Sequence, residues 1–265
     1  SSADTGEATV TSTLTFTSAN WDTAQTVTVT GVDDDLVDGT ITSTITVTVN
    51  DGSSDDNFDS VSDETVSVST TDDDVAGFTI AESNGSTSVA ESGTTDTFTV
   101  VLNAQPTSDV VLSISSSDNG EATVTSSLTF TSANWDTAQT VTVTGVDDNL
   151  IDGSITSITT IAVIDNASDD SFDSLSDQTV SVSTTDDDVA GFTIVESSGS
   201  TSVAESGTTD TFTVVLNAQP TSDVVLSISS SDNGEATVPS LISFTSANWD
   251  TAQTVTVTGV DDNLV

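Results

Sequence analysis

The segment NWDTAQTVTVTGVDD occurs three times, with its tryptophan at Trp21, Trp135 and Trp249, each 114 residues from the next. The flanks agree at the same offset: residues 75–124 recur almost unchanged at 189–238, and VSVSTTDDD ends at Asp74 and again at Asp188. A period of this length is a whole domain, much longer than the coil of a solenoid. Whatever one copy folds into, the chain repeats it. Phasing at the DDD/VAG junction predicts the C-terminal part of one repeat at 1–74, a complete repeat at 75–188 and the N-terminal part of the next at 189–265. The first residue is Ser rather than Met, so the sequence reads as an internal piece of a longer chain.

Inside the complete repeat, short runs alternate apolar and Thr/Ser residues between turn signals. Phe78 and Ile80 share one face, as do Phe98, Val100 and Leu102 before the Asn-Ala-Gln-Pro turn. Val110, Leu112 and Ile114 follow, closed by Asp118-Asn119-Gly120; then come Leu128 and Phe130, Val141 and Val143, Ile155 to Val163, and Val180 with Val182. A period of two with Thr on the outer face marks half-buried strands. No segment has the 3.6 period and caps of a helix. The reading is all-β: tandem seven-strand antiparallel β-sandwich domains of immunoglobulin-like topology. Asp188 is followed at once by the Val189-Ala190-Gly191-Phe192 of the next copy, with no Gly/Ser or Pro linker between them.

Charge narrows the function. The chain has 43 acidic residues and no Lys, Arg or His, for a net charge of −43. Such composition often marks disorder, yet 34% hydrophobic residues in alternating patterns suffice for a core. Without a basic side chain there is no patch for nucleic acid and no attraction to anionic lipid. No apolar run approaches the roughly 20 residues of a membrane span, and no basic, apolar-cored leader is visible. The absence of Cys rules out disulfides, so packing and bound cations must supply what cross-links would.

The acidic residues concentrate where strands end. Sandwich topology gathers Glu91, Asp118, Asp147, Asp148, Asp152, Asp186, Asp187 and Asp188 at one pole. Two unit charges about 4 Å apart repel by about 4 kcal/mol at the effective dielectric of a protein surface. Eight converging carboxylates would exceed the ~5–15 kcal/mol stability of a typical domain unless they splay into solvent or share cations. All-oxygen ligands suit Ca2+, which accepts about 6–8 of them in flexible geometry; the lack of His and Cys argues against zinc and copper sites.

These elements, in this order, resemble the Calx-beta domain, a seven-strand sandwich found in sodium/calcium exchangers, integrin β4 and tandem arrays of large bacterial surface adhesins. Val89-Ala90-Glu91 looks like the family's Val-x-Glu, and Asp118-Asn119-Gly120 like its acidic turn. Asp147-Asp148 with Asp152 looks like its paired Asp and following acid, and Asp186-Asp187-Asp188 like its terminal triplet. The resemblance implies that these residues hold Ca2+ at the domain's end, beside the next domain. Asp152 stands where the family usually has Glu, and Gly153 where a second acid is common, so the resemblance does not fix the number of ions. Carried over by the repeat offset, the ligand positions are Asp4, Asp33, Asp34, Asp38, Asp72, Asp73 and Asp74 in the first copy. In the third they are Glu205, Asp232, Asp261 and Asp262. A second acidic run, Asp169, Asp170, Asp173 and Asp177, matches Asp55, Asp56, Asp59, Asp63 and Glu64 and reads as a solvated loop more readily than as a site.

The function expected is structural and not enzymatic: an extender or stalk repeat of a secreted cell-surface adhesin, its partners the neighbouring repeats of the same chain. The alternative is a repeat of a self-assembling extracellular filament or sheath, where copies also pack side by side. Paired acids could serve a glycosidase, but nothing here would orient a substrate or tune a pKa. Thr-x-Thr runs look like ice-binding surfaces, yet no short coil period stacks them into an array. Trp135 reads as a plug at the sandwich end rather than a sugar platform.

Overall fold

The structure is a computed structural model and describes residues 1–261. Segment 1–74 contributes β1 (Ala8–Val10), β2 (Val29–Gly31), β3 (Ile41–Val47) and β4 (Glu64–Thr70). Segment 75–188 contributes β5 (Phe78–Glu82), β6 (Thr87–Ala90), β7 (Thr95–Leu102), β8 (Val110–Ser116), β9 (Ala122–Val124), β10 (Ser127–Phe130), β11 (Gln139–Gly145), β12 (Ile155–Val163) and β13 (Gln178–Thr185). Segment 189–261 contributes β14 (Phe192–Glu196), β15 (Thr209–Leu216), β16 (Val224–Ser227), β17 (Ala236–Thr237), β18 (Leu241–Phe244) and β19 (Gln253–Gly259). Among the described residues, helix is limited to single 3-10 turns, and no helix is long and apolar enough to cross a membrane.

In the central segment a five-stranded sheet, β10-β8-β12-β13-β6, and a four-stranded sheet, β5-β7-β11-β9, share one core. Phe98, Val100, Val141 and Val143 come from one sheet; Val110, Leu112, Phe130, Ile161 and Val182 come from the other. All are the inward members of the alternation seen in the sequence. Trp135 packs against this core, and its carbonyl accepts the Leu102 N–H at 3.1 Å. It plugs the end as expected.

Nine strand segments stand where the alternation predicts seven runs, because two runs switch sheets. The first kinks at Ser83–Gly85, where Asn84 and Gly85 take φ of 56° and 79°. It passes from antiparallel pairing with β7 to parallel pairing with β13. Among the strand pairs of the described residues, β6–β13 is the parallel one and the rest are antiparallel. The second switching run is β9–β10, which pairs with β11 and then with β8.

Candidate metal centre

Strand register brings the central carboxylates together. β6 and β13 run parallel and end in register, Thr185 opposite Ala90, so Glu91 and Asp186 leave the sheet side by side. Ile155 pairs with Thr184, which holds the Asp152–Ser154 turn over the same end. Gly145 pairs with Ala122, which sets Glu121 beside the Val146-Asp147-Asp148 exit of β11. Closure depends on Gly145: a Cβ there would lie 2.1 Å from the Ala90 carbonyl oxygen. Only glycine lets β11 come that close to the backbone preceding Glu91.

Glu91 is 1% exposed, and neither of its carboxylate oxygens has a hydrogen-bond partner. Ligand oxygens of Glu91, Asp148 and Asp188 lie within 4.8 Å of one another, and so do those of Glu91, Glu121 and Asp152. Glu91 thus belongs to both triads. Buried Glu121 and half-buried Asp188 each contribute a further buried oxygen without a partner, Oε2 and Oδ2. Buried polar atoms are nearly always paired, and an unpaired buried carboxylate is costly. Several in one place fit a set of ligands for a hard cation.

The titration of the cluster follows from its geometry. Burial, then the charges of Asp148, Asp186, Glu121 and Asp152, push the Glu91 carboxyl up to about 7. Burial, followed by Asp152 and Asp118, raises Glu121; burial, followed by Asp186, Asp187 and Asp147, raises Asp188. Asp186 goes the other way. The N–H groups of Gly153 (2.8 Å), Asp188 (2.7 Å) and Asp152 (3.1 Å) donate to its carboxylate and lower its pKa. It acts as the fixed anion that shapes the pole, clamping the Asp152 turn to the terminal triplet.

The other expected residues are placed less centrally. Exposed Asp118 accepts the Gly120 N–H at 2.9 Å, shaping its turn; exposed Asp147 and Asp187 lie near enough to raise Asp188, and none of the three enters a triad. Sequence reasoning missed Glu121, a lone acid after an Asp-Asn-Gly turn and outside every acidic run. Its signal was positional: it immediately precedes the strand that pairs beside Gly145.

In the first segment Asp72 repeats the role of Asp186, accepting the N–H groups of Gly39 (2.8 Å), Asp38 (3.1 Å) and Asp74 (2.7 Å). Burial together with Asp38, Asp34, Asp4 and Asp72 raises Glu7, the counterpart of Glu121, and burial with Asp72, Asp35, Asp73 and Asp33 raises Asp74. Asp4 accepts the Gly6 N–H at 3.0 Å, and exposed Asp33 and Asp73 join no triad among the described residues. In the third segment Glu205 and Glu235 are exposed and line an open cleft of about 530 Å³ with Val203, Ala204, Ser206 and Ala236. Asp232 and Asp261 are exposed there too; Asp262 lies outside the described residues.

No protein-family model matches this sequence, and no curated protein matches it. Among solved structures, domains 4 and 5 of the S-layer protein SbsC are 21% identical with a TM-score of 0.33, over 60% of this chain and 62% of that one. The chain therefore spans about three fifths of that fragment. The apo form of the Calx CBD1 domain is 12% identical (TM-score 0.29) over 42% of this chain and 98% of its own. CBD12 from CALX1.2 is 13% identical (TM-score 0.29) over 70% and 76%. The assignment to all-β sandwich repeats rests on the strand pairing and shared core described above.

Proposed function

We propose that this chain is a run of structural repeats from a secreted surface protein. In this reading each repeat binds Ca2+ at its end, and the run acts as a stalk or extender for adhesion. The observation that carries the cation is Glu91, a buried carboxylate with two unpartnered oxygens in the middle of five further acids. Glu91 would bridge two positions, one completed by Asp148 and Asp188 and the other by Glu121 and Asp152. Water and backbone carbonyls would fill the remaining places of a Ca2+ shell.

The cation would also reach the joint, because the loop that supplies Asp148 and Asp152 carries Leu150 and Ile151 between them. Asp148 accepts the Leu150 N–H at 2.6 Å, and Asn149 accepts the Gln219 N–H of the next segment at 2.7 Å. Fixing the two aspartates would fix the tip that touches the following repeat.

A stalk is favoured over a laterally packed filament by the faces of the central repeat. Its exposed large hydrophobics are Val75, Ile151 and Ile158, and the first two lie at repeat ends. Lateral assembly needs a contiguous apolar patch, and Ile158 alone does not make one. The test is a melt of the full chain in millimolar CaCl2 and in chelator, with solution scattering of both samples. The expected result is a higher Tm and a longer, narrower distance distribution with Ca2+. Identical curves in the two conditions would sink the calcium reading.

A further inference from the structure

In the second acidic loop Asp169 is held by protein donors, whereas Asp173 keeps one buried oxygen without a partner. Asp169 is 4% exposed, yet both its oxygens are occupied. Oδ2 accepts from Thr107 N (2.8 Å), Thr107 Oγ1 (2.6 Å) and Ser108 N (2.9 Å), and Oδ1 accepts from Ser171 N (3.0 Å). Burial pushes the Asp169 carboxyl up, but the donors outweigh it and hold it at about 2. Four donors hold this carboxylate in place as part of the protein's own hydrogen-bond framework. Its effect is mechanical: it ties the loop after β12 to the turn between β7 and β8 and seats Phe172, which is fully buried in the core.

The tip of the preceding segment enters the end of the sandwich shaped by these two loops. Gln105 donates its N–H to the Asp35 carbonyl at 2.7 Å and accepts the Val37 N–H at 3.1 Å, giving a parallel bridge between Leu36 and Gln105. Ser171 Oγ donates to the Val37 carbonyl at 3.4 Å, and the Val37 side chain packs against the central core. The next joint repeats half of this. Leu150 bridges Gln219, but Ile151 stays 40% exposed over a cavity of about 300 Å³ lined by Phe192, Leu216, Ala218 and Pro220. The counterpart of the Asp169 loop falls beyond residue 265 by the repeat offset.

We infer that the loop around Asp169–Phe172 is a latch: a docking surface that grips the apolar Leu-Val or Leu-Ile tip of the preceding repeat and holds the joint without a cation. The latch is separate from the carboxylate pole, which lies where β6, β11 and β13 end. Inter-domain motion is the default for small contacts; here a single side chain and three hydrogen bonds suppress it because the socket is prefolded.

The chain has no cysteine, so spin labels can be placed at will on the equivalent exposed positions Thr23, Thr137 and Thr251. Distance distributions are measured by pulsed EPR on the full chain in chelator. The T23C/T137C pair, across the latched joint, should be narrow, and the T137C/T251C pair about twofold broader or more. Asp169→Ala and Val37→Ser should broaden the first pair to resemble the second and leave the second unchanged. Ser171→Ala, which leaves the core intact, should broaden it partly, so the test survives if Asp169→Ala misfolds. Equal widths in the parent chain overturn the latch, and so does a first pair that stays narrow in Val37→Ser. Because no cation is present, either outcome leaves the calcium reading to its own test.

Discussion

Segments 75–147 and 189–261 are close to identical in sequence and differ in structure. Phe78 is 4% exposed and its counterpart Phe192 is 52% exposed. Thr87–Ala90 is a strand, whereas residues 201–204 are not. Glu91 is buried and Glu205 is exposed. What separates them is β12 and β13, whose counterparts fall past residue 265. Among the described residues, the stretch after the third segment's kink pairs with no strand, and Glu205 before the turn is exposed. The buried charge of Glu91 is therefore set by β13, whose last residue, Thr185, lies 94 residues on in sequence and accepts the Glu91 N–H at 3.1 Å, and is not encoded beside the glutamate.

The comparison is tested most severely at two glycines. A Cβ at Gly145 would lie 2.1 Å from Ala90 O, and one at Gly259 the same 2.1 Å from Ala204 O. In the central repeat β13 clamps Ala90; Ala204 is exposed and lies outside any strand. Gly145→Val should cost more than about 4 kcal/mol, the range of exceptional single substitutions, and Gly259→Val about 1 kcal/mol. Amide hydrogen exchange followed by NMR reads the two segments separately. Equal losses would mean that the two ends are equally rigid.

Core deletions come next. Phe98→Ala, at a fully buried ring, should destabilise the central repeat by about 3–5 kcal/mol. Phe212→Ala, at the half-buried counterpart, should cost its segment about half as much, because the cavity opens to water. The same exchange experiment measures both.

A smaller effect, of opposite sign, is expected at the pole. A carboxyl raised to about 7 from an unfolded value near 4.5 makes the folded state bind the extra proton between those limits. Stability in chelator should thus fall as pH rises through that window and level off above it. Glu91→Gln removes the charge, so the slope should shrink and the Tm at pH 8 should rise by several degrees. Glu205→Gln should leave the melt unchanged. Millimolar Ca2+ should reverse the ranking, with the parent chain above Glu91→Gln. A parent melt independent of pH from 5 to 8 in chelator would remove the basis for a buried, unpaired Glu91.

What the sequence disclosed divides along the same line. Alternation located the long strands of the central repeat and most of their inward residues, because period-two patterning is local; the buried Ser157 and Thr159 of β12 carried no such mark. The Trp plug and the Asp-Asn-Gly turn were legible for the same reason. The parallel β6–β13 pair was not: Thr87–Ala90 is four residues long, and its partner is chosen by tertiary packing. Glu121 escaped because its neighbours in sequence are unremarkable and its neighbours in space come from β11. Acidic runs pointed to the pole but did not separate Asp186, consumed by backbone donors, from Asp188, left with an unpartnered buried oxygen. That distinction rests on which N–H groups face which carboxylate.

The smallest prediction concerns a motif that should show no difference between segments. In Thr-Ser-Ala-Asn-Trp the asparagine side chain accepts the threonine N–H, at 2.5 Å for Asn20 and Thr17, and at 2.6 Å for Asn134 with Thr131 and Asn248 with Thr245. The bond spans three residues and needs no distant strand, so it forms alike in all three segments, including the first, where Trp21 is 71% exposed. Side chain-to-backbone bonds of this kind are worth about 1 kcal/mol. Asn134→Ala and Asn248→Ala should therefore cost their segments the same ~1 kcal/mol, although core and pole substitutions at equivalent positions diverge. Were Asn248→Ala silent while Asn134→Ala destabilised, even the local turns would depend on β12 and β13, and the division between local and long-range control would fail.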